Sequence, residues 1–301
     1  MTSKIGNVLL DDAFYCGQDI YSDGNVEEEL LSIVKEGKDY DSVIKNAEEF
    51  AIFYHLSKER EVIVEVMDIC EKDTVLEIGA GCGAITGVLA EKAKQVYCIE
   101  LSKRRSMINA YRNKQRDNIE IIIGNYEEIV LPQKYDVATM IGVLEYANLY
   151  IHSDRPYHDF IKSVGNRIKE GGKLYIAIEN RLGAKYFSGC KEDHAGKEFI
   201  GIEGYHGGER AKTFSYYELV TMFEECGFDN YKFYYPYPDY KFPRQIFSDE
   251  HLPQKDEAFT VSSNYTSIRN QYFDESKFLS SLVMDEEYKI FANSFLVCLR
   301  K

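Results

Sequence analysis

The sequence has 301 residues, of which 45% are hydrophobic and 14% aromatic, so a disordered chain is not expected. Asp and Glu number 50 against 36 Lys and Arg, and the net charge of −14 argues against a nucleic-acid partner. Seven scattered cysteines, no signal-peptide pattern and no apolar run of membrane-spanning length predict a cytoplasmic protein without membrane insertion.

Hydrophobic spacing divides the chain into two predicted parts. Helical spacing over residues 26–68 predicts two or three helices, which we interpret as an N-terminal cap formed by residues 1–68. From about residue 72, short β-rich runs alternate with amphipathic stretches, which predicts an α/β domain over residues 69–301 with a mostly parallel sheet and helices on both faces. Substrate-facing insertions are expected at about 180–213 and 236–285 because both are long for simple connections. Seven strands are predicted, at 74–78, 96–100, 119–123, 135–141, 173–178, 230–235 and 290–299, with helices at 84–92, 103–116 and 156–169 and a capped helix that starts at Ser215.

Residues 74–83 read as a buried strand that passes into a loop with glycines at 79, 81 and 83. Glycines let a backbone turn sharply and approach a ligand where a Cβ would collide. The G-x-G-x-G spacing differs from the dinucleotide pattern G-x-G-x-x-G, so a pyrophosphate ligand is less expected. Glu100 ends the next predicted strand, where a carboxylate can accept hydrogen bonds from both ribose hydroxyls. A tight turn followed by a solvated Glu is the alternative, but the two features together favour a nucleoside site.

Residues 74–100 resemble the first two motifs of class I, Rossmann-like S-adenosylmethionine-dependent methyltransferases, and residues 123–126 and 135–146 resemble the segments that follow. The resemblance implies S-adenosyl-L-methionine as cofactor, S-adenosyl-L-homocysteine as product, and an antiparallel last strand. Asn125 stands where the family usually has Asp, and adenine binding is expected to survive that change. The residues marked for cofactor binding are Glu77, Gly79, Ala80, Gly81, Gly83, Glu100, Leu101, Asn125, Tyr126, Ile141 and Gly142.

A narrower resemblance concerns residues 177–187, 192–194 and 201–205, which are similar to methyltransferases found with bacterial surface-glycan and capsule assembly enzymes. It implies a setting in polysaccharide biosynthesis more than a particular substrate. The predicted reaction is methylation of an oxygen, or less readily a nitrogen, of a small or glycan-linked acceptor. Two alternatives stay open: a methyltransferase of a small metabolite or natural-product intermediate, and a non-catalytic S-adenosylmethionine-binding scaffold or sensor. A homodimer is also left open.

The acceptor is expected beside the ends of the fourth and fifth predicted strands, because ligands bind at the carboxyl edge of open α/β sheets. His194 and His206 are candidate general bases since imidazole titrates near neutrality, although an ordinary exposed or packed histidine is the alternative for each. Glu179 is the third catalytic candidate. The predicted substrate-binding residues are Glu145, Tyr146, Asn180, Arg181 and Tyr205.

No metal is expected in this sequence. No cysteine pair has the spacing of zinc ligands, and His152, Asp154 and His158 do not share one helical face.

Aromatic residues in 14–21 and 53–57 are candidates for covering the cofactor, with simple helix packing as the alternative. The tyrosine-rich run 231–242 could stack on an acceptor, although core packing is the more common role of such residues.

Overall fold

The computed structural model describes residues 2–131, 133–255, 257, 259–260, 262 and 269–301. The strands are β1 (Thr2–Ile5), β2 (Val8–Phe14), β3 (Thr74–Ile78), β4 (Gln95–Glu100), β5 (Ile119–Gly124), β6 (Tyr135–Ile141), β7 (Ile168–Glu179), β8 (Asn230–Tyr237), β9 (Gln245–Ser248) and β10 (Ser294–Arg300). The α-helices are α1 (Val26–Glu36), α2 (Tyr40–Asn46), α3 (Phe50–Leu56), α4 (Thr86–Lys92), α5 (Lys103–Arg112), α6 (Ala147–Tyr150), α7 (Pro156–Asn166), α8 (Ala184–Phe187), α9 (Tyr216–Glu225), α10 (Glu275–Met284) and α11 (Tyr288–Phe291). Short 3-10 turns occupy Lys58–Val64, Tyr126–Glu128 and Leu144–Tyr146.

The chain forms two compact units. The first comprises Met1–Met140 and Asn166–Lys173, and the second comprises Ile141–Gly165 and Leu174–Lys301. The predicted N-terminal helices therefore belong to a unit that also contains strands. The boundary expected at residue 68 stays a prediction.

The first unit is built on a mostly parallel sheet with the strand order β1-β2-β5-β4-β3-β6. Strands β2, β5, β4, β3 and β6 pair in parallel, and β1 pairs antiparallel with β2. Val75 and Val96 are completely buried, as expected of strands covered on both faces. Strands β1 and β2 were not predicted, because Asp11 and Asp12 interrupt the apolar pattern that would mark an edge strand.

The second unit contains β10, β8, β9 and the part of β7 that follows Lys173, in the order β7-β10-β8-β9, and β8 pairs antiparallel with both β10 and β9. Phe233, Tyr235 and Phe295 are fully buried and their rings contact one another. Helix α9 begins with the predicted capping box, in which the Ser215 hydroxyl accepts the Glu218 N–H and the Glu218 carboxylate accepts the Ser215 N–H. Segment 236–285 contributes β9 and α10.

The predicted fold class is confirmed: the chain is mixed α/β and Rossmann-like, with a mostly parallel sheet, antiparallel strands toward the chain's end and surrounding helices. The described residues form ten strands rather than the seven predicted, because β1, β2 and β9 are added. Among these residues, no helix is both long and apolar enough to cross a membrane.

Candidate active site

The glycine loop, residues Gly79–Gly83, joins β3 to α4. Gly79, Gly81 and Gly83 have φ angles of 72°, 53° and 76°, a backbone region that residues other than glycine rarely adopt. The N–H of Gly79 donates to the Ile99 carbonyl at 2.9 Å, which fastens the loop to β4. A Cβ on Gly83 would lie 2.4 Å from Asn109 Oδ1, whereas a Cβ on Gly81 would meet no atom closer than 4.0 Å. The loop is therefore packed tightly against α5 at Gly83 and is open at Gly81.

Glu100 completes the glycine loop from the end of β4. Its side chain is buried, Oε2 accepts the Gly81 N–H at 2.7 Å and Oε1 accepts the Ser102 N–H at 2.9 Å. Burial raises the pKa of Glu100, and Arg105 together with the backbone N–H donors opposes that shift. Because a carboxylate offers about four acceptor positions, this group keeps capacity for the two ribose hydroxyls of a nucleoside. The loop and Glu100 together fit the nucleoside part of S-adenosylmethionine.

Glu77 lies within β3, where its side chain is buried. Oε2 accepts the Thr86 hydroxyl at 2.7 Å and the Cys98 thiol at 3.3 Å. Burial raises the pKa of Glu77 to about 7. In this structure Glu77 joins β3 to α4 and β4, so it supports the loop from within the fold.

The remaining predicted cofactor residues lie in both units. Asn125 precedes the turn Tyr126–Glu128, and its Oδ1 accepts the Glu127 N–H at 3.4 Å. Leu101 directly follows β4, and Ala80 is part of the glycine loop. Ile141 and Gly142 belong to the second unit. Gly142 has a φ of 70°, and a Cβ there would lie 2.7 Å from the Tyr240 hydroxyl oxygen. These cofactor contacts stay predictions.

In the second unit, the structure brings together three predicted site residues, Glu145, Glu179 and His194, which we name the carboxylate–histidine cluster. His194 Nε2 lies 3.4 Å from Glu179 Oε2 and 4.0 Å from Glu145 Oε1. Both glutamates are buried, and the His194 side chain is 11% exposed. The hydroxyl of Tyr146 lies 3.0 Å from His194 Nδ1. Four residues that were predicted separately as catalytic or substrate-binding thus form one group.

Two lysines that were not predicted as site residues lie beside this cluster. Lys241 Nζ contacts Glu179 Oε1 and lies 3.1 Å from Asp193 Oδ1. Lys185 Nζ lies 2.9 Å from Asp193 Oδ2 and 3.5 Å from Asp239 Oδ2. Asp193 binds both lysines. Lys241 and Glu179 are 62 residues apart, so no local pattern could have linked them.

The buried charges shift the pKa values of the cluster in different directions. Burial, reinforced by Glu179, raises the pKa of Glu145 to about 8. Burial acts in the same direction on Glu179, but Lys241 and His194 outweigh it and hold the pKa of Glu179 well below its usual range. Burial lowers the pKa of His194, yet Glu179 and Glu145 raise it to about 9. The role of His194 as a general base stays a prediction.

His206 is not brought to this cluster. Its side chain is 66% exposed and pairs with Glu203 at 2.9 Å, in the manner of an exposed surface pair. This exposed position and the surface pair do not support a catalytic role, and the role of His206 as a base stays a prediction. It offers a matched control for His194, which lies in the same segment.

Three predicted substrate-binding residues are engaged in hydrogen bonds that hold the fold. Asn180 donates to the carbonyls of Ile290 and Ala292 at 2.8 Å each and accepts the Leu182 N–H. Arg181 binds the Glu218 carboxylate at 2.6 Å and the Gly201 carbonyl at 3.2 Å, and the Tyr205 hydroxyl contacts Glu192 and Thr213. These bonds favour a structural role for all three residues, and their contact with a substrate stays a prediction.

The N-terminal segment packs beside the glycine loop within the first unit. Leu30, Ile33, Val34, Ile52 and Leu56 form one buried cluster with Cys82 of the loop and Ile108 of α5. Arg105 Nε donates to Glu27 Oε1 at 2.7 Å and Nη2 to Asp23 Oδ2 at 2.5 Å. This arrangement agrees with an N-terminal cap, whose contribution to cofactor binding stays a prediction.

Comparison with known proteins matches the segment that carries the glycine loop. A family model described as ribosomal RNA adenine dimethylase matches residues 53–166. The ribosomal RNA small subunit methyltransferase A of Fusobacterium nucleatum is 32% identical over 139 residues, 39% of this chain and 50% of that protein. The rRNA adenine N-6-methyltransferase of Bacillus licheniformis is 37% identical over 83 residues, 27% of this chain and 29% of that protein. This chain thus spans half or less of the length of these relatives.

A solved structure, the phosphoethanolamine N-methyltransferase 1 of Haemonchus contortus, has a TM-score of 0.47 and 17% identity over 73% of this chain and 48% of that chain. A likeness of this size says nothing about activity.

The comparisons confirm the class I resemblance and its cofactor, S-adenosylmethionine, and correct the predicted acceptor. The surface-glycan subgroup and a role in polysaccharide biosynthesis are not supported. Oxygen methylation of a small or glycan-linked acceptor is wrong, because the relatives are named for rRNA and for adenine nitrogen. The exclusion of nucleic acid is overturned by the same names. It rested on net charge, which sums the whole chain and does not describe the local surface that contacts a phosphate.

Proposed function

We propose that this chain, whose Rossmann-like fold and cofactor loop are those of class I S-adenosylmethionine-dependent methyltransferases, methylates an adenine nitrogen in RNA. S-adenosylmethionine as the methyl donor is supported by the glycine loop together with the buried Glu100 carboxylate, which accepts the Gly81 N–H. The acceptor is inferred from the family model that matches residues 53–166, described as ribosomal RNA adenine dimethylase, and from relatives such as the rRNA adenine N-6-methyltransferase of Bacillus licheniformis.

The residues of the first unit supply a binding site for the methyl donor. Bound S-adenosylmethionine offers an electrophilic methyl group on a positively charged sulfur. Glu100 would accept hydrogen bonds from the ribose, and Asn125 would contact the adenine ring. The glycine loop lets the backbone approach the ligand closely, which fixes the donor in one orientation. Much of the rate of an in-line displacement can come from such positioning.

Transfer to an amine makes smaller demands on a base than transfer to a hydroxyl. Bound S-adenosylmethionine would supply the methyl group to the adenine nitrogen and leave as S-adenosylhomocysteine, and the nitrogen would give up one proton to solvent. We propose that His194 and Glu179 contribute by ordering the acceptor side of the site.

The proposed function is tested by incubating the purified chain with methyl-labelled S-adenosylmethionine and unmethylated small-subunit rRNA. Labelled N6-methylated adenosine should appear after nuclease digestion and mass spectrometry. Glu100→Ala should lose this product at cofactor concentrations that saturate the unmodified chain. Binding of S-adenosylhomocysteine without any methylated adenosine would reject the acceptor and keep the cofactor site. Absence of both would reject the whole proposal.

The two histidines of segment 194–206 predict different outcomes in the same assay. His194→Ala should lower turnover by at least about tenfold, because it removes the imidazole that two buried glutamates contact. His206→Ala should leave turnover unchanged, since that side chain is 66% exposed. Equal activity of the two variants would remove His194 from the catalytic machinery.

A further inference from the structure

The carboxylate–histidine cluster contains a buried oxygen that no described residue satisfies. The side chain of Glu145 is 1% exposed, and its Oε2 has no hydrogen-bond partner among the described residues. A buried polar group without a hydrogen-bond partner is energetically costly, and more so when it is charged. The unpartnered atom is Oε2, whereas Oε1 is the Glu145 oxygen that lies 4.0 Å from His194 Nε2. A ligand that binds both oxygens of this carboxylate would therefore complete the cluster and remove this cost.

The spacing of the three side chains fits a single metal ion. One ligand atom from each of Glu145, Glu179 and His194 lies within 4.8 Å of the other two. Nitrogen and oxygen ligands of zinc lie about 2.0–2.2 Å from the ion, so two ligands of one ion are separated by up to about 4.4 Å. The observed distances of 3.4 and 4.0 Å from His194 Nε2 fall within that limit. A shift of a few tenths of an ångström would bring all three atoms into reach.

The groups behind these ligands hold them in the orientation that a metal requires. Tyr146 contacts His194 Nδ1 at 3.0 Å, which leaves Nε2 facing the two glutamates. Lys241 contacts Oε1 of Glu179, which leaves Oε2 on the side of His194. Metal-binding histidines and carboxylates usually have such partners on their other nitrogen or oxygen. Lys241 is itself shared with Asp193, so part of its charge is compensated away from the cluster.

The surrounding network is rich in carboxylates. Among the described residues joined through these ion pairs, four carboxylates (Glu145, Glu179, Asp193 and Asp239) face two lysines and one histidine, Lys185, Lys241 and His194. A cation bound between Glu145, Glu179 and His194 would add positive charge beside the two buried glutamates.

We propose that Glu145, Glu179 and His194 bind a divalent transition-metal ion, Mn²⁺ or Zn²⁺, through the carboxylate of Glu145, Oε2 of Glu179 and Nε2 of the histidine. Carboxylate oxygen and imidazole nitrogen are ligands that such ions accept. Three protein ligands leave further positions on the ion for water or another ligand. This site lies within the second unit and does not depend on which acceptor the chain methylates.

Titration calorimetry with MnCl₂ on the metal-free full chain tests the site. Mn²⁺ is the probe because the exposed thiols of Cys16 and Cys70 would also take up Zn²⁺. One ion should bind per chain and raise the melting temperature. Glu145→Gln should weaken binding at least about tenfold, and the matched control His206→Gln should bind Mn²⁺ as the unmodified chain does.

The position of the ion gives a second measurement that needs no variant. A crystal of the unmodified chain soaked in MnCl₂ should show one anomalous scattering peak between Glu145, Glu179 and His194. Circular dichroism establishes whether Glu145→Gln is folded, and the crystal decides the matter if it is not. Absence of saturable binding to the unmodified chain, equal loss in both variants, or a peak elsewhere would each overturn the metal site.

Discussion

Arg105 links the N-terminal segment to the helix that follows Glu100. Its guanidinium is 9% exposed and binds Glu27, which is fully buried, and Asp23. Arg105→Leu would leave Glu27 buried without its cation, so we expect the free energy of unfolding to fall by about 3–5 kcal/mol. Urea unfolding followed by circular dichroism measures this. Its neighbour Arg104, which lies 3.7 Å from the exposed Glu28, is the control, and Arg104→Leu should cost less than about 1 kcal/mol.

Glu100 supports both the glycine loop and the expected ribose contacts. Glu100→Ala removes the acceptor for the Gly81 and Ser102 N–H groups as well as the ribose contact. We expect affinity for S-adenosylhomocysteine to fall by about 1–3 kcal/mol, measured by calorimetry. Glu91→Ala is the control, because Glu91 is 61% exposed and pairs with Arg116 at the surface. Unchanged affinity in Glu100→Ala would place the nucleoside elsewhere.

At the scale of elements, the glycine loop packs closely against α5 because Gly83 has no side chain. Gly83→Ala would place a Cβ 2.4 Å from Asn109 Oδ1 at a φ of 76°, so the loop or α5 must shift. We expect Gly83→Ala to lower cofactor affinity at least about tenfold and to destabilise the fold by more than the roughly 1–2 kcal/mol of backbone strain alone.

Gly37→Ala separates these two effects. Gly37 ends α1 with a φ of 68°, but its added Cβ would meet no atom within 4 Å. It should therefore cost only the backbone strain and leave cofactor affinity unchanged. Similar affinities for the two variants would show that contact with Asn109 does not shape the loop.

At the scale of the whole molecule, the buried Glu77 predicts how stability changes with pH. Burial raises its pKa to about 7 in the folded chain, above the value of 4.5 expected when it is exposed. Between these values the unfolded chain releases this proton and the folded chain keeps it. Glu77 therefore destabilises the fold progressively as pH rises from about 4.5 to 7, by up to about 3 kcal/mol.

Comparison with Glu77→Gln isolates that contribution. The amide oxygen can still accept the Thr86 hydroxyl, but the side chain no longer titrates. Urea unfolding at several pH values should show the variant gaining stability relative to the unmodified chain from pH 4.5 to 7. A constant difference across this range would mean that Glu77 titrates alike in both states.

The sequence by itself determined the elements whose signals are local. Buried apolar runs predicted β3 to β6 closely, and Ser215 with Glu218 predicted the start of α9, since a capping box is formed within four residues. The glycine spacing with Glu100 determined the cofactor, because strand, turn and carboxylate follow one another directly along the chain. Net charge misled the choice of acceptor because it carries no information about position.

Only the tertiary structure decided which polar residues act together. Glu145, Glu179 and His194 were each candidates, but nothing in their spacing showed that they meet, or that Lys241 joins them. In the same way, Asn180, Arg181 and Tyr205 were chosen for their chemistry, and their partners proved to be structural. The physical reason is that burial, unsatisfied hydrogen bonds and charge compensation depend on distances between segments remote in sequence, which exist only once the chain has folded.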